Sequence, residues 1–331
     1  MKSEIGQLLV FQRLPGLCIQ GDRMKKYVFF LLKWILIFLV GSILIFGVVR
    51  LMPTSPVDHY LTKMSLPLTE ENRAVIRKNM GLDKPVVQQY FDWIFDFLRG
   101  NWGVSLTSHT DIRTEFLAKM PYSFGIGIGG ILIGAVFAWL LGYRAAYRQS
   151  GFCDRFSAAL SVVTQTIPGF ILALLIIYFL GVKLKAVKFF TGDGNLSILM
   201  AILIMALYRI GPWARVVRNA FREEMKKSYV RFAISRGIPK GKVLFIHAAR
   251  PVLCSLVATV MSDFASVFGA SSVLEFAFTI PGLSYFLVRC MQQSDYTVIQ
   301  SYILIVIVWM FFVHLLLNIL LDILDVRRRN A

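Results

Sequence analysis

Acidic residues are scarce in this chain: its 331 residues hold 19 aspartates and glutamates against 36 lysines and arginines. Only 17% of positions are charged and 56% are hydrophobic, with a mean hydropathy of +0.64. A water-soluble domain of this size needs more polar surface than that, so the composition points to a multi-span membrane protein. Cysteine is thin as well. Cys18, Cys153, Cys254 and Cys290 are scattered without a CxxC pair, which indicates neither a disulfide framework nor a zinc site. None of His59, His109, His247 and His314 has a second ligand three or four residues on, so no metal site is expected. The chain has no GxxxxGK[ST], HExxH or GxSxG sequence and no paired intramembrane aspartates. Nucleotide hydrolysis and intramembrane proteolysis therefore find no motif here.

The net charge of +17 comes without zinc-finger spacing or an aromatic RNA-binding signature, so no nucleic-acid partner is expected. Basic loops facing anionic lipid headgroups account for it.

What is abundant is long apolar sequence. Six runs, about 27–49, 119–142, 156–180, 196–220, 252–274 and 300–322, are each long enough to cross about 30 Å of hydrocarbon as helices. The expected fold is all-α, with six transmembrane helices. Residues 1–23 read as a cytoplasmic tail or an extension ahead of the natural start, because Met24 opens "MKKYVFFLLKWILIFLVGSILIFGVV" as a retained first span over 24–50. Residues 51–118 form an external loop with short helices, and 119–331 a core of five spans. Glycines of the second span, such as Gly127 and Gly130, permit close helix approach.

Short loops set the orientation. Arg144, Arg148 and Arg155 crowd one loop, and eleven basic residues lie between Arg209 and Arg250 against Glu223 and Glu224. The chain closes on Arg327, Arg328 and Arg329. Both termini are therefore expected on the cytoplasmic side, with the three lysines at 183–188 as the exception. In the outer loop, "TEENRAVIRKNMG" reads as a helix capped by Thr69 and stopped by Gly81. "PVVQQYFDWIFDFLRG" reads as a second helix from Pro85 to Gly100, with Val86, Tyr90, Trp93, Ile94 and Phe97 on one face.

The basic stretch "SYVRFAISRGIPKGKVLFIHAARPVL" lies in a cytoplasmic loop over 221–250. Gly237 and Pro239 split it into two short helices, and Ala233 and Gly237, four apart, form a small-residue face open to close approach. An amphipathic helix lying on lipid is the alternative. The defined break favours a shaped protein groove.

This stretch resembles the coupling loop of permease subunits in ABC importers of the dipeptide/oligopeptide/nickel family. So do four other segments in the same order: "GLDKPVVQQYFDWIFDFLRGNWGVSL", "TIPGFILALLIIYFLGV", "SSVLEFAFTIPGLSYFLVRCMQQSDYTVIQ" and "LLLNILLDILDVRRRNA". The likeness covers about residues 24–329. Pro251 directly after Arg250, and Cys254 where a proline is usual, depart from the pattern and suggest a different angle at the start of the fifth helix.

The resemblance implies a type I importer permease in the bacterial cytoplasmic membrane. It implies pairing with a second permease, two ATPase subunits and an extracytoplasmic substrate-binding protein. On this likeness Tyr229, Arg231, Ala233, Arg236, Gly237, Lys240 and His247 couple to an ATPase, with Ala233 and Gly237 docking closely and Arg231, Arg236 and Lys240 meeting acidic rims. The chain binds no cofactor itself, and ATP is used by the partners. Peptides, nickel or other metal chelates and other small solutes all remain open as cargo. A secondary transporter driven by an ion gradient is the rival, although that class usually shows inverted repeats and more spans.

Three charges within or beside the apolar runs complete the candidates. Asp263, inside a span, either lines the substrate pathway or bonds a neighbouring helix. Glu275 is a second pathway candidate. Arg209 is expected to snorkel to the cytoplasmic face, beside a kink or stop at Gly211–Pro212.

Overall fold

A computed structural model of the chain describes residues 15–51, 55–106, 108–185, 195–265 and 267–324. The beginning of the 1–23 segment, Lys188 and the Arg327–Arg329 end lie outside the described residues. Among the described residues there are helices and one isolated bridge, Val104 to Asp111, and no strands. The helices relevant here are α1 (Pro15–Arg50), α2 (Pro56–Lys63), α3 (Glu70–Asn79), α4 (Val86–Leu98), α5 (Ile112–Tyr147) and α6 (Phe152–Thr166). They continue with α7 (Gly169–Ile176), α8 (Asn195–Met225), α9 (Ser228–Ser235), α10 (Lys240–Ala265), α11 (Val267–Ala270), α12 (Ser272–Ala277), α13 (Leu283–Gln292) and α14 (Tyr296–Leu324).

Five spans are single helices: α1 from Tyr27, α5, α8, α10 and α14. The remaining apolar run is not one helix but a bent pair. α6 and the segment Gly169–Lys183 meet at 94°, where a straight span over 156–180 was expected. The cause is local. Ile167 precedes Pro168 and is held extended at φ −90°, ψ 118°, because the proline ring excludes a helical residue before it. Tyr208 Oη donates to the exposed Ile167 carbonyl at 2.6 Å and satisfies the broken end. Pro212, by contrast, neither ends nor interrupts α8, which runs on to Met225. The basic loop therefore begins later than 221, and Phe221 is fully buried.

α5 is the central helix and outruns its predicted bounds at both ends. Asp111 caps it by accepting the Thr114 N–H at 2.9 Å, and its 36 residues reach about 54 Å, well beyond the hydrocarbon. Side chains at Gly127, Gly130 and Gly142 would run into Val267, Met205 and Ala214, so α8 and α11 pack against nearly bare backbone. Gly211 does the same for α8 against α6. A Cβ there would lie 2.6 Å from Ser161 N and 2.7 Å from Ser161 Cα, and backbone cannot move aside. Gly211→Ala is expected to cost about 1–3 kcal/mol by overpacking, read as a lower melting temperature in detergent. Gly125→Ala, where a Cβ meets nothing within 4 Å, is the control expected to leave it unchanged.

The outer segment is tied to the bundle by side chains. Thr69 caps α3 and Gly81 follows it at φ +65°, as expected. The aromatic face of α4 turns onto α1: Tyr90 Oη lies 2.8 Å from Ser42 Oγ, and Trp93 stacks on Phe46. Ser105 Oγ donates at 2.6 Å to Asp295, which is completely buried at the foot of α14. Two of the sequence segments that carried the resemblance therefore meet here. α1 packs on α14 through Phe30 and Trp34 against Phe311 and His314, and Tyr27 Oη donates to Asp322 at 2.9 Å.

Candidate functional site

Two regions carry candidate chemistry: the basic loop and a charged pair within the spans. The loop begins on Glu224, buried at the end of α8, which accepts from Tyr229 Oη at 2.6 Å and pairs with Lys227. Tyr229 thereby sets the start of α9. The helix stops as the sequence predicts. Gly237 takes φ +81°, its N–H reaches the Ile234 carbonyl at 2.9 Å, and the Ile238 N–H reaches that of Ala233 at 3.3 Å.

The face that α9 presents is not the one expected. Ala233 is buried with Val230 against Val243, Ile238 and Met225, inside the loop rather than on its surface. Lys240 is also engaged within the chain. Its ammonium donates to the Tyr147 carbonyl at 3.0 Å and lies over the Tyr147 ring, so it caps the last turn of α5 instead of standing out towards a partner. Arg231, Arg236, Gly237 and His247 are exposed.

The residue missed is Phe232. It is 63% exposed, one helical turn before Arg236, whose guanidinium carbon lies 5.6 Å from its ring centroid. Spacing could have found it. Val230 and Ala233, three apart, define the inner face, and Phe232 with Arg236 falls opposite.

α10 starts in this loop and runs into the membrane as one helix, so the predicted second short helix is the head of a span. Its Val243–Ala248 segment is π-helical and ends three residues before Pro251. Proline has no N–H to give and its ring crowds the carbonyl four residues back, and the wider turn absorbs both effects. A second unforeseen anchor lies near the loop. Asp154, buried at the head of α6, pairs with Arg218 at 2.6 Å and Arg222 at 3.0 Å and locks α6 to the end of α8.

Within the spans, Arg209 does not snorkel. Its Nη1 meets Asp263 Oδ2 at 2.8 Å, and Trp213 Nε1 donates to the same oxygen at 3.0 Å. The Arg209 side chain is 11% exposed and that of Asp263 38%. Both line a cavity of about 370 Å³ that also touches Pro168, Phe170, Tyr208 and Leu274. The cavity thus sits beside the 94° break. Asp263 bonds a neighbouring helix, one of the two alternatives, and it also borders this cavity.

Glu275 bonds neighbouring helices too, but it does not line this cavity. It is completely buried and accepts from Ser123 Oγ at 2.7 Å and from the backbone N–H groups of Ser284 and Tyr285 at 2.9 and 3.0 Å. Its carboxylate caps the first turn of α13, so its place is in the packing of the Thr279–Gly282 turn rather than on a pathway surface. Gly282 lies against it, where any side chain would strike the carboxylate. Among the described residues no three histidine, cysteine or acidic side chains come together as a metal site.

A polytopic helical chain with a basic loop and a charged pair lining a cavity beside a broken helix pair fits the class of membrane transport subunits. The comparisons specify which. Residues 130–330 match the family described as binding-protein-dependent transport system inner membrane component, and residues 24–112 match the N-terminal model of such membrane components. The chain belongs to that family and is a permease subunit of an ABC importer. Its relatives include the dipeptide transport system permease protein DppB of Bacillus subtilis, 28% identical over 85% of this chain and 92% of that protein. The di/tripeptide transport system permease protein DppB of Pseudomonas aeruginosa is 25% identical over 87% and 94%. The glutathione transport system permease protein GsiC of Pectobacterium atrosepticum is 27% identical over 85% and 91%.

Proposed function

We propose that this chain is one of two permeases in a bacterial importer of short peptides. A second permease, two ATPase subunits and an extracytoplasmic binding protein complete the assembly. The relatives are named for dipeptides, di/tripeptides and glutathione, which favours peptides over metal chelates as cargo. Both termini and the basic loop face the cytoplasm, as the placement of lysine and arginine requires. The carrying observation is the outward pair Phe232 and Arg236 on a helix whose inner face is already buried. An aromatic and an arginine together are the usual anchors of a protein interface. They fit a groove on an ATPase subunit, which supplies the hydrolysis, and the chain needs no cofactor of its own.

The test is uptake of labelled dialanine into vesicles holding the complete assembly. Uptake is expected to require ATP and the binding protein. Uptake driven by an ion gradient without ATP would overturn the reading. In the same assay Gly237→Val, which puts a β-branched residue at φ +81°, is expected to cut uptake at least tenfold, while Gly237→Asn, tolerant of that conformation, retains most of it.

A further inference from the structure

Charges within a membrane span are costly, and removing one member of a buried pair is costlier than keeping both, so Arg209 and Asp263 need a reason to lie in the bundle. Helix packing alone does not supply one. The pair borders a cavity of about 370 Å³, within the usual size range of ligand pockets, and Asp263 is partly open to it. The guanidinium carries five N–H donors, of which Nη1 gives one to Asp263; Nε is buried, so it is the terminal nitrogens that can meet a ligand in the cavity. A planar fork with unused donors is suited to a carboxylate, and an aspartate with a neighbouring indole N–H is suited to an ammonium.

Resting on the peptide reading above, we infer that Arg209 and Asp263 recognise the two charged ends of a free peptide, Arg209 taking the terminal carboxylate and Asp263 the terminal ammonium. With no cargo the two neutralise each other. A peptide replaces each member's partner with its own end, so the charge in the cavity stays balanced throughout. The ends of a dipeptide lie up to about 7 Å apart, so both members engage it when α8 and α10 part by a comparable distance. Trp213, on α8 beside Arg209, donates to Asp263 while the pair is closed and leaves with Arg209 when α8 and α10 part, which frees the carboxylate for the ammonium. The cavity therefore discriminates by terminal charge and tolerates varied side chains between the ends.

The experiment uses the purified complete assembly without the binding protein, which removes that protein's own selection. Affinities are measured for dialanine, its C-terminal amide and its N-acetyl form. Wild type is expected to prefer dialanine over each blocked form by at least about tenfold, the scale of one charged hydrogen bond. Arg209→Gln is expected to abolish the preference over the amide, and Asp263→Asn that over the N-acetyl form. Melting temperatures are recorded alongside. If the variants melt lower but keep both preferences, or if wild type shows neither preference, the pair only joins helices and the inference falls. Uptake of dialanine by the wild-type assembly with its binding protein is scored separately, and its failure would overturn the peptide reading itself.

Discussion

Replacing Phe232 with alanine is expected to lower the affinity of this chain for its ATPase subunit by at least about 30-fold, with import falling accordingly. Truncating an aromatic anchor at the centre of an interface commonly costs 2 kcal/mol or more, which converts to that factor. The expectation rests on where the ring is. Phe232 is 63% exposed on a helix otherwise fastened by Val230 and Ala233 inside, by Glu224 at its start and by Gly237 at its end. Its loss removes almost no contact within the chain, so the melting temperature of the isolated permease is expected to hold. Ala233→Leu should do the reverse, because the added bulk enters the contact with Val243 and overpacks it. Co-purification and melting curves on the two variants separate a docking surface from a packing surface. Full subunit affinity in the Phe232 variant would place the interface elsewhere.

Glu275→Gln is expected to destabilise the permease by about 3 kcal/mol without changing which peptides are imported. The wild-type carboxylate accepts two backbone N–H groups and one hydroxyl in a site sealed from solvent. An amide offers one acceptor oxygen and turns two donors of its own towards groups that already donate. The two backbone N–H groups share one oxygen, which the amide keeps, but its NH2 faces the Ser123 hydroxyl that donated to the other oxygen, so that bond is lost at about 1–3 kcal/mol, on top of the lost charge assistance. The consequence is confined to the turn at Thr279–Gly282 and the head of α13, so it is read as a lower melting temperature in detergent. A variant with normal stability and altered peptide preference would show instead that the carboxylate meets cargo.

The difference between Glu275 and Asp263 marks what the sequence can say. Each is a single acid in an apolar stretch, and nothing in the neighbouring residues distinguishes them. Their environments come from distant chain: Arg209 lies 54 residues before Asp263, and Ser123 lies 152 residues before Glu275. Features written locally were legible. Thr69, Gly81 and Gly237 stand where caps and stops were expected, and the apolar runs became the spans. Pro168 was passed over within a single run at 156–180, because the break it makes is completed from another helix, where Tyr208 satisfies the Ile167 carbonyl. Ala233 was assigned to the wrong face because a small residue suits a buried contact within the loop as well as one with a partner. Only the fold-back of Val243 onto α9 decides between them.

α10 gives the loop and the cavity a mechanical relationship. It runs from Lys240, fastened to the end of α5, to Asp263 beside the cavity, a distance of about 35 Å along one helix. Such a rod, a continuous helix, carries a displacement of its head towards Asp263, less what its softest section absorbs. Its softest section is the wide turn at Val243–Ala248, where the regular hydrogen-bond ladder is interrupted. If cargo ever slips through without ATP being spent, or ATP is spent without cargo, that turn is where the rod yields. On the coupling reading proposed above, the stiffness of these six residues would set how faithfully one event is matched to one passage.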